Sequence, residues 1–237
     1  MASDSEIPTE PKVVVRTNGP YRVYGNVPLV AKTQVVSEYG EPLAWKKDKV
    51  IDTTSHQKEG RYSLCRCGQS CEKPFCDGTH KAIGFDGTET ADLRPTAERQ
   101  EILPGHGVLA VKQDQTLCCD SGFCGNRSTH VSDLVKVAGE AGVPAQIIVM
   151  IEHCPSGSLT YALESGGRDI EPDLPRQIAV TTEITSQGAV EGPLWVTGSV
   201  PVERADGQPC ETRNRVTLCC CGKSKNKPFC DGAHRKA

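Results

Sequence analysis

Short apolar runs, interrupted by Gly and Pro, predict a chain built mainly from short β-strands with a few helices, an α+β fold. Residues 131–142 carry apolar side chains at helical spacing and end in glycine, which predicts a helix. The run 146–151 is either a strand or a helix, because its β-branched residues favour a strand whereas Pro144 favours the start of a second helix. Strands are predicted at 12–16, 21–30 (with a bulge or an end near Gly25 and Pro28), 61–64, 108–111, 159–163 and 215–218.

An internal repeat divides the chain. The pattern G-P-x-x-V-x-G-x-V-P-aliphatic occurs at 19–29 and again at 192–202. Each copy precedes the motif C-x-C-x2-S-x3-P-F-C-D-G-x-H, at 65–80 and at 219–234, and a short strand enters each motif. The repeating unit is therefore a few strands, a loop rich in cysteine and a final histidine. Two such units can pack together and share a core that neither builds alone.

Composition favours small modules held by inorganic centres. The chain has 37% hydrophobic and 5% aromatic residues, with 23 Gly and 16 Pro, which is low for one thick core. The net charge of −3 and the lack of a Lys/Arg run argue against nucleic-acid partners. No apolar stretch has the length of a membrane span, and residues 1–11 predict a polar, disordered leader. We therefore expect a cytoplasmic protein whose thirteen cysteines serve as metal ligands.

Each motif offers three thiols and one imidazole within sixteen residues. A Cys3His set suits tetrahedral zinc. The C-x-C pair, however, is tighter than the spacing of zinc loops and can direct two thiolates at one iron, leaving a Cys and a His for the second iron of a 2Fe–2S cluster. The two candidate ligand sets are Cys65, Cys67, Cys76 and His80, and Cys219, Cys221, Cys230 and His234.

The sequences C-D-G-T-H at 76–80 and C-D-G-A-H at 230–234, each preceded by C-x-C-x2-S-x3-P, closely resemble the CDGSH iron–sulfur domain. The resemblance implies a 2Fe–2S cluster held by three Cys and one His at each end of the chain. It also implies a β-rich fold whose ligand loop leads into a short helix.

Other residues of the two motifs have separate interpretations. Asp77 and Asp231 are expected to accept backbone N–H bonds at the short helix. Ser70 and Ser224 are either donors to cluster sulfurs or turn residues. Cysteines outside the ligand sets are interpreted as free thiols: Cys71, Cys210 and Cys220.

A third site is predicted between the repeats. Cys118 and Cys124 form a C-x5-C pair, and Cys154-Pro155 follows thirty residues later, while Ser121 stands where a 4Fe–4S ferredoxin has a second cysteine. Three thiolates at 118, 124 and 154 would hold a 3Fe–4S cluster. Alternatively, Cys119 or another group supplies a fourth ligand. This block, with C-P-S-G-x-L at 154–159, resembles the divergent single-cluster ferredoxin family. The resemblance does not decide between a 3Fe–4S and a 4Fe–4S cluster, nor whether His130 is a ligand.

These observations predict four segments: a leader at 1–11, a CDGSH module at 12–100, a ferredoxin-like module at 101–170 and a second CDGSH module at 171–237. We expect the two CDGSH modules to pair within the chain. No nucleophile, phosphate-binding or dinucleotide motif is present, so we expect an electron-transfer protein and not an enzyme. Its partners would be a reductase or an oxidase, and it would be a monomer or a homodimer. Cluster storage, transfer or redox sensing is the alternative, followed by a zinc-stapled interaction module.

Overall fold

The computed structural model describes residues 9–105 and 107–236, so most of the predicted leader lies outside the described residues. The helices are α1 (Thr79–Ala82), α2 (Thr96–Arg99), α3 (Val131–Leu134) and α4 (Val143–His153), with 3₁₀ turns at 54–56, 115–117, 135–137 and 233–236. The strands are β1 (Lys12–Val15), β2 (Tyr21–Tyr24), β3 (Leu29–Val36), β4 (Pro42–Val50), β5 (Arg61–Leu64), β6 (Glu101–Ile102), β7 (Ala110–Gln113), β8 (Leu159–Ala162), β9 (Gln177–Thr185), β10 (Gly188–Thr197), β11 (Val202–Glu203) and β12 (Arg215–Leu218). The prediction of an α+β fold dominated by strands is confirmed.

The two repeats exchange strands. One sheet has the order β11-β1-β2-β5 and the other has the order β12-β10-β9-β3-β4. In the first sheet Val13 pairs with Val202 in parallel, and in the second Leu29 pairs in parallel with Ile178. Leu29 and Val202 end the two copies of the G-P repeat, so each repeat gives the equivalent strand to the other repeat's sheet. The repeats thus pair within the chain, as the sequence predicted.

Both repeats also contribute to one hydrophobic core. Tyr21 is fully buried, and its hydroxyl donates to the carbonyl oxygens of Cys219 (2.8 Å) and Pro228 (3.0 Å), so the first repeat reaches into the ligand loop of the second. Burying one Val or Leu side chain contributes about 1.5–3 kcal/mol. The core includes Val13, Val15, Val23, Leu29 and Leu64 from the first repeat, and Ile178, Leu194, Val196, Val216 and Leu218 from the second.

The middle block forms an antiparallel sheet, β6-β7-β8, covered by α3 and α4. Its own core contains Leu109, Val111, Val131, Leu134, Val135, Ile147, Ile151, Leu159 and Tyr161. The run 146–151 lies within α4, which has a proline in its first turn.

The bounds of several predicted elements differ in the structure. The predicted helix over 131–142 is an α-helix only to Leu134 and a 3₁₀ turn to Val137, and Gly139 and Gly142 disfavour helix after that turn. The predicted strand 108–111 begins later, at Ala110. The end predicted near Gly25 and Pro28 is confirmed: β2 ends at Tyr24, the backbone turns at Gly25, where φ is +71°, and β3 begins at Leu29. No helix among the described residues is long and apolar enough to cross a membrane.

Candidate metal centres

In the first motif the ligand loop folds back onto the strand that precedes it. The amide of Cys65 donates to the oxygen of Pro74 (2.8 Å), and the amide of Cys76 donates to that of Ser63 (3.0 Å). This return places the candidate ligands in two pairs. The Sγ atoms of Cys65 and Cys67 lie 3.8 Å apart, and Cys76 Sγ lies 3.3 Å from Nδ1 of His80.

The second motif repeats this geometry. Its loop is closed by the amide of Cys219 donating to Pro228 (2.9 Å) and that of Cys230 donating to Thr217 (2.9 Å). The Sγ atoms of Cys219 and Cys221 are 3.8 Å apart, and Cys230 Sγ is 3.3 Å from Nδ1 of His234. Equal spacing in sequence therefore gives equal donor spacing at both ends of the chain.

Two polar residues hold each loop. Ser70 Oγ donates to the oxygen of Phe75 (2.6 Å), and Ser224 Oγ donates to that of Phe229 (2.7 Å), so both serines act as turn residues. The prediction for the aspartates is confirmed. Asp77 accepts from the amides of Thr79 and Cys71, and Asp231 accepts from those of Ala233 and Lys225. The pKa of Asp77 is lowered to about 2 by these backbone hydrogen bonds, led by the one from Thr79.

The two ligand loops touch each other. Cys67 and Cys221 form an antiparallel bridge. The following glycines, Gly68 and Gly222, both have left-handed φ, of +77° and +78°. A β-carbon on Gly68 would lie 2.5 Å from the oxygen of Cys221, and one on Gly222 would lie 2.6 Å from that of Cys67. Only glycine allows this approach, which sets the two candidate centres side by side.

The surroundings of the two centres differ. His234 is buried, with 2% of its side chain exposed, and its Nε2 lies 3.1 Å from Oε2 of Glu183. His80 is half-buried, and its pKa is lowered by desolvation and by the charge of Lys81. Arg66, between the first two cysteines of the first motif, is buried, and Cys220 is its counterpart in the second. The charge beside each centre is therefore different.

Burial keeps most of the thiols protonated in the metal-free protein. Desolvation raises the pKa of Cys76 and of Cys230, and raises that of Cys67 as well. The adjacent thiols of Cys219 and Cys221 share a hydrogen bond, which raises the pKa of the first and lowers that of the second to about 6. Since thiolates are the metal ligands, loading either centre must displace protons.

The predicted residues of the middle site lie around one cavity, which also includes Ser121. Desolvation, followed by the charge of Cys154, raises the pKa of Cys124 to about 11. His130 is not among the lining residues, since its Nδ1 lies 2.8 Å from the hydroxyl of Ser132 at the start of α3. The thiols that the structure brings together are those of Cys118, Cys119, Cys124 and Cys154.

Cys119 also lies beside the second motif. It is 1% exposed, and its charge is the second cause, after desolvation, of the raised pKa of Cys230. A β-carbon on Gly232 would lie 3.3 Å from the oxygen of Cys119 and 2.6 Å from Cβ of Asp120. The middle site and the second motif are therefore adjacent and meet at Cys119, which the spacing of the cysteines did not predict.

The remaining cysteines do not belong to the ligand pairs. Cys71 is exposed, Cys210 is buried, and Cys220 is buried with its thiol donating to the oxygen of Gly192 (3.0 Å). All thirteen cysteines are free of disulfides. No group of three or more His, Cys, Asp or Glu side chains within 9–105 and 107–236 is arranged to hold a single metal ion.

Family comparisons agree with this division. The family model described as iron-binding zinc finger of CDGSH type matches residues 18–81 and 191–235. The model described as divergent 4Fe–4S mono-cluster matches residues 106–164, which lie between them. No curated protein matches the chain significantly. The chain therefore carries two CDGSH-type regions with a divergent 4Fe–4S mono-cluster domain between them, which supports an iron–sulfur protein.

Proposed function

We propose that the protein is an electron carrier, not an enzyme, with a 2Fe–2S cluster at each CDGSH motif and a 3Fe–4S or 4Fe–4S cluster in the middle block. The observation that supports this most is the arrangement of donors in two pairs at each motif, with separations of 3.8 and 3.3 Å. The proposed ligands are Cys65, Cys67, Cys76 and His80 for the first cluster, Cys219, Cys221, Cys230 and His234 for the second, and Cys118, Cys124 and Cys154 for the third.

The pairing of donors favours two irons over one zinc. Four donors on one tetrahedral zinc, with bonds of about 2.0–2.3 Å, would all lie within about 4 Å of one another. Among the described residues, no three candidate donors are gathered in that way. One pair for each iron is what a 2Fe–2S cluster requires.

When bound, each cluster would accept or release one electron. The chain holds the ligands in position, and it excludes water from most of them: Cys65, Cys67, Cys219 and Cys230 are at most 7% exposed. In the middle block, Cys119 lines the same cavity as the three proposed ligands. Its thiol is the candidate fourth ligand if the third cluster is 4Fe–4S.

The first centre is the proposed contact with redox partners, a reductase or an oxidase. His80 and Cys76 are half-buried, whereas their counterparts in the second motif are buried. A surface cavity of about 620 Å³ opens beside Cys76. Its lining includes the basic side chains Arg22, Lys58 and Arg61, which would attract acidic groups of a partner, together with Glu72 and Asp77, which would help to orient it.

The proposal is tested by iron and sulfide analysis, and by EPR of anaerobically purified protein before and after reduction. We expect three separate iron–sulfur signals, and Cys76→Ser, Cys230→Ser and Cys124→Ser should each alter a different one. Cys210→Ser is the matched control, because Cys210 is also buried but lies outside the ligand pairs. Zinc in place of iron, or one signal altered by all three variants, would overturn the proposal.

Cluster delivery is a second candidate function. The half-buried Cys76 and His80 favour it, because an accessible ligand pair lets an acceptor protein approach the first cluster. Mixing with an apo-ferredoxin distinguishes the two functions. Transfer of iron and sulfide faster than spontaneous loss supports delivery. Rapid electron exchange with a reductase, with no loss of cluster absorption, supports electron transfer.

A further inference from the structure

The environment of His234 differs from that of His80 in ways that the motif does not encode. In His234, Nδ1 faces Cys230 Sγ at 3.3 Å, so Nε2 is the nitrogen directed away from the cysteine. Nε2 lies 3.1 Å from Oε2 of Glu183, a residue of β9 that is 0% exposed. An ionised carboxylate only accepts hydrogen bonds, so the imidazole proton belongs on Nε2. This leaves the lone pair of Nδ1 free to bind a metal.

Arg235 completes this contact and extends it to the middle block. One guanidinium nitrogen, Nη1, lies 3.1 Å from the same Glu183 oxygen and donates to the carbonyl of Asp120 at 2.6 Å. Asp120 follows Cys119 in the loop of the middle site. A continuous set of polar contacts therefore joins His234 to that loop through Glu183 and Arg235.

The described residues give the histidine of the first motif no such carboxylate partner. Among the described residues no carboxylate lies within hydrogen-bonding distance of the His80 ring, which contacts Cys76 Sγ alone. Arg66, next to two candidate ligands, is 1% exposed and donates to the carbonyls of Arg16 (3.3 Å) and Gly87 (2.7 Å). The histidine of the second centre thus has a buried glutamate partner, shared with Arg235, whereas within the described part of the chain the histidine of the first centre has none.

We propose that Glu183 is a positioning residue for His234 and that it lowers the reduction potential of the second CDGSH centre below that of the first. This inference rests on the proposed function. A carboxylate that accepts the Nε2 proton makes the imidazole a better electron donor, which stabilises the oxidised cluster. At the first centre no carboxylate among the described residues accepts a hydrogen bond from His80, so this lowering is absent there. Electrons would therefore pass from the second centre to the more exposed first centre.

Redox titration of the complete protein, followed by EPR, tests the role of Glu183. In Glu183→Gln the side chain keeps its shape and an acceptor oxygen but loses its charge. We expect the midpoint potential of the second centre to rise while that of the first stays constant. Glu203→Gln is the matched control, because Glu203 is also a strand glutamate but lies in β11, in the other sheet, where it pairs with Lys12 at 2.7 Å.

A second variant keeps the inference testable if Glu183→Gln fails to fold. Arg235→Gln leaves the carboxylate to His234 alone and removes a positive charge, so the potential of the second centre should fall. Equal shifts of both centres, no shift, or a shift of the reverse sign in either variant would overturn the inference. Wild-type protein without iron would instead overturn the proposed function, so the two failures are distinguishable.

Discussion

The close approach of the two ligand loops predicts a strong effect of Gly68→Ala. The added β-carbon would lie 2.5 Å from the carbonyl oxygen of Cys221 and 2.8 Å from its carbonyl carbon. An ordinary C···O contact is about 3.3 Å or longer, so the loops must separate by several tenths of an ångström. Both contacts are to backbone, and no side-chain rotation relieves them.

The expected cost has two parts. A β-carbon at a φ of +77° costs about 1 kcal/mol. Forcing an extra carbon into a packed site costs about 1–3 kcal/mol more. Gly40→Ala isolates the first part, because Gly40 has a φ of +80° and a β-carbon there would meet nothing within 4 Å. The difference between the two variants therefore measures the contact between the loops.

Thermal unfolding at a fixed scan rate, followed by circular dichroism and by cluster absorption, provides the measurement. For a chain of this size, 1 kcal/mol shifts the midpoint by about 2–4 °C, so Gly68→Ala should lower it by about 5–15 °C and Gly40→Ala by about 2–4 °C. Equal shifts for the two variants would refute the side-by-side placement of the ligand loops.

Three further predictions concern the ligands and their supports. Tyr21→Phe removes two buried hydrogen bonds to the second ligand loop and should lower the free energy of unfolding by about 1–3 kcal/mol. Tyr24→Phe is the control and should lower it less, because the Tyr24 hydroxyl has no such partner among the described residues. Urea denaturation of the two variants measures the difference. Cys71→Ser should leave the iron content unchanged, but Cys67→Ser should remove one cluster, as iron analysis will show. Binding of iron–sulfur clusters to the apo-protein should release protons and should become weaker as pH falls. The reason is that burial raises the pKa values of the thiols, that of Cys124 to about 11. An indicator dye in weak buffer measures the proton release.

Local features of the fold were predictable because short-range spacing determines them. The ligand pairs follow from an offset of two positions between thiol and thiol, and of four positions between thiol and imidazole, within a loop held by Ser70 or Ser224. The strands that enter the motifs, β5 and β12, also lie where the apolar runs predicted them. In each case the residues that make the contact are close in sequence, so the motif itself carries the geometry.

Contacts between distant segments could not be predicted in this way. Glu183 lies fifty-one positions before His234 and belongs to no motif, so nothing in its sequence context indicates a histidine partner. The parallel pairing of Leu29 with Ile178 depends on which repeat each strand joins, and hydrophobic alternation is the same for either choice. The position of Cys119 between the middle site and the second motif likewise depends on how the middle block packs against β9 and the final 3₁₀ turn.

The exchange of strands within one chain explains how two similar motifs acquire unlike surroundings. In a symmetric homodimer each substitution occurs twice, so both centres keep the same neighbours. Here each repeat has its own sequence, and one copy places Arg66 where the other has Cys220. The shared core and the glycine contact still hold the loops together, while Glu183 and Arg235 act on one centre alone. If the proposed function holds, joining the repeats in a single chain would permit a fixed difference in potential between adjacent centres, and this difference would give electron flow a direction.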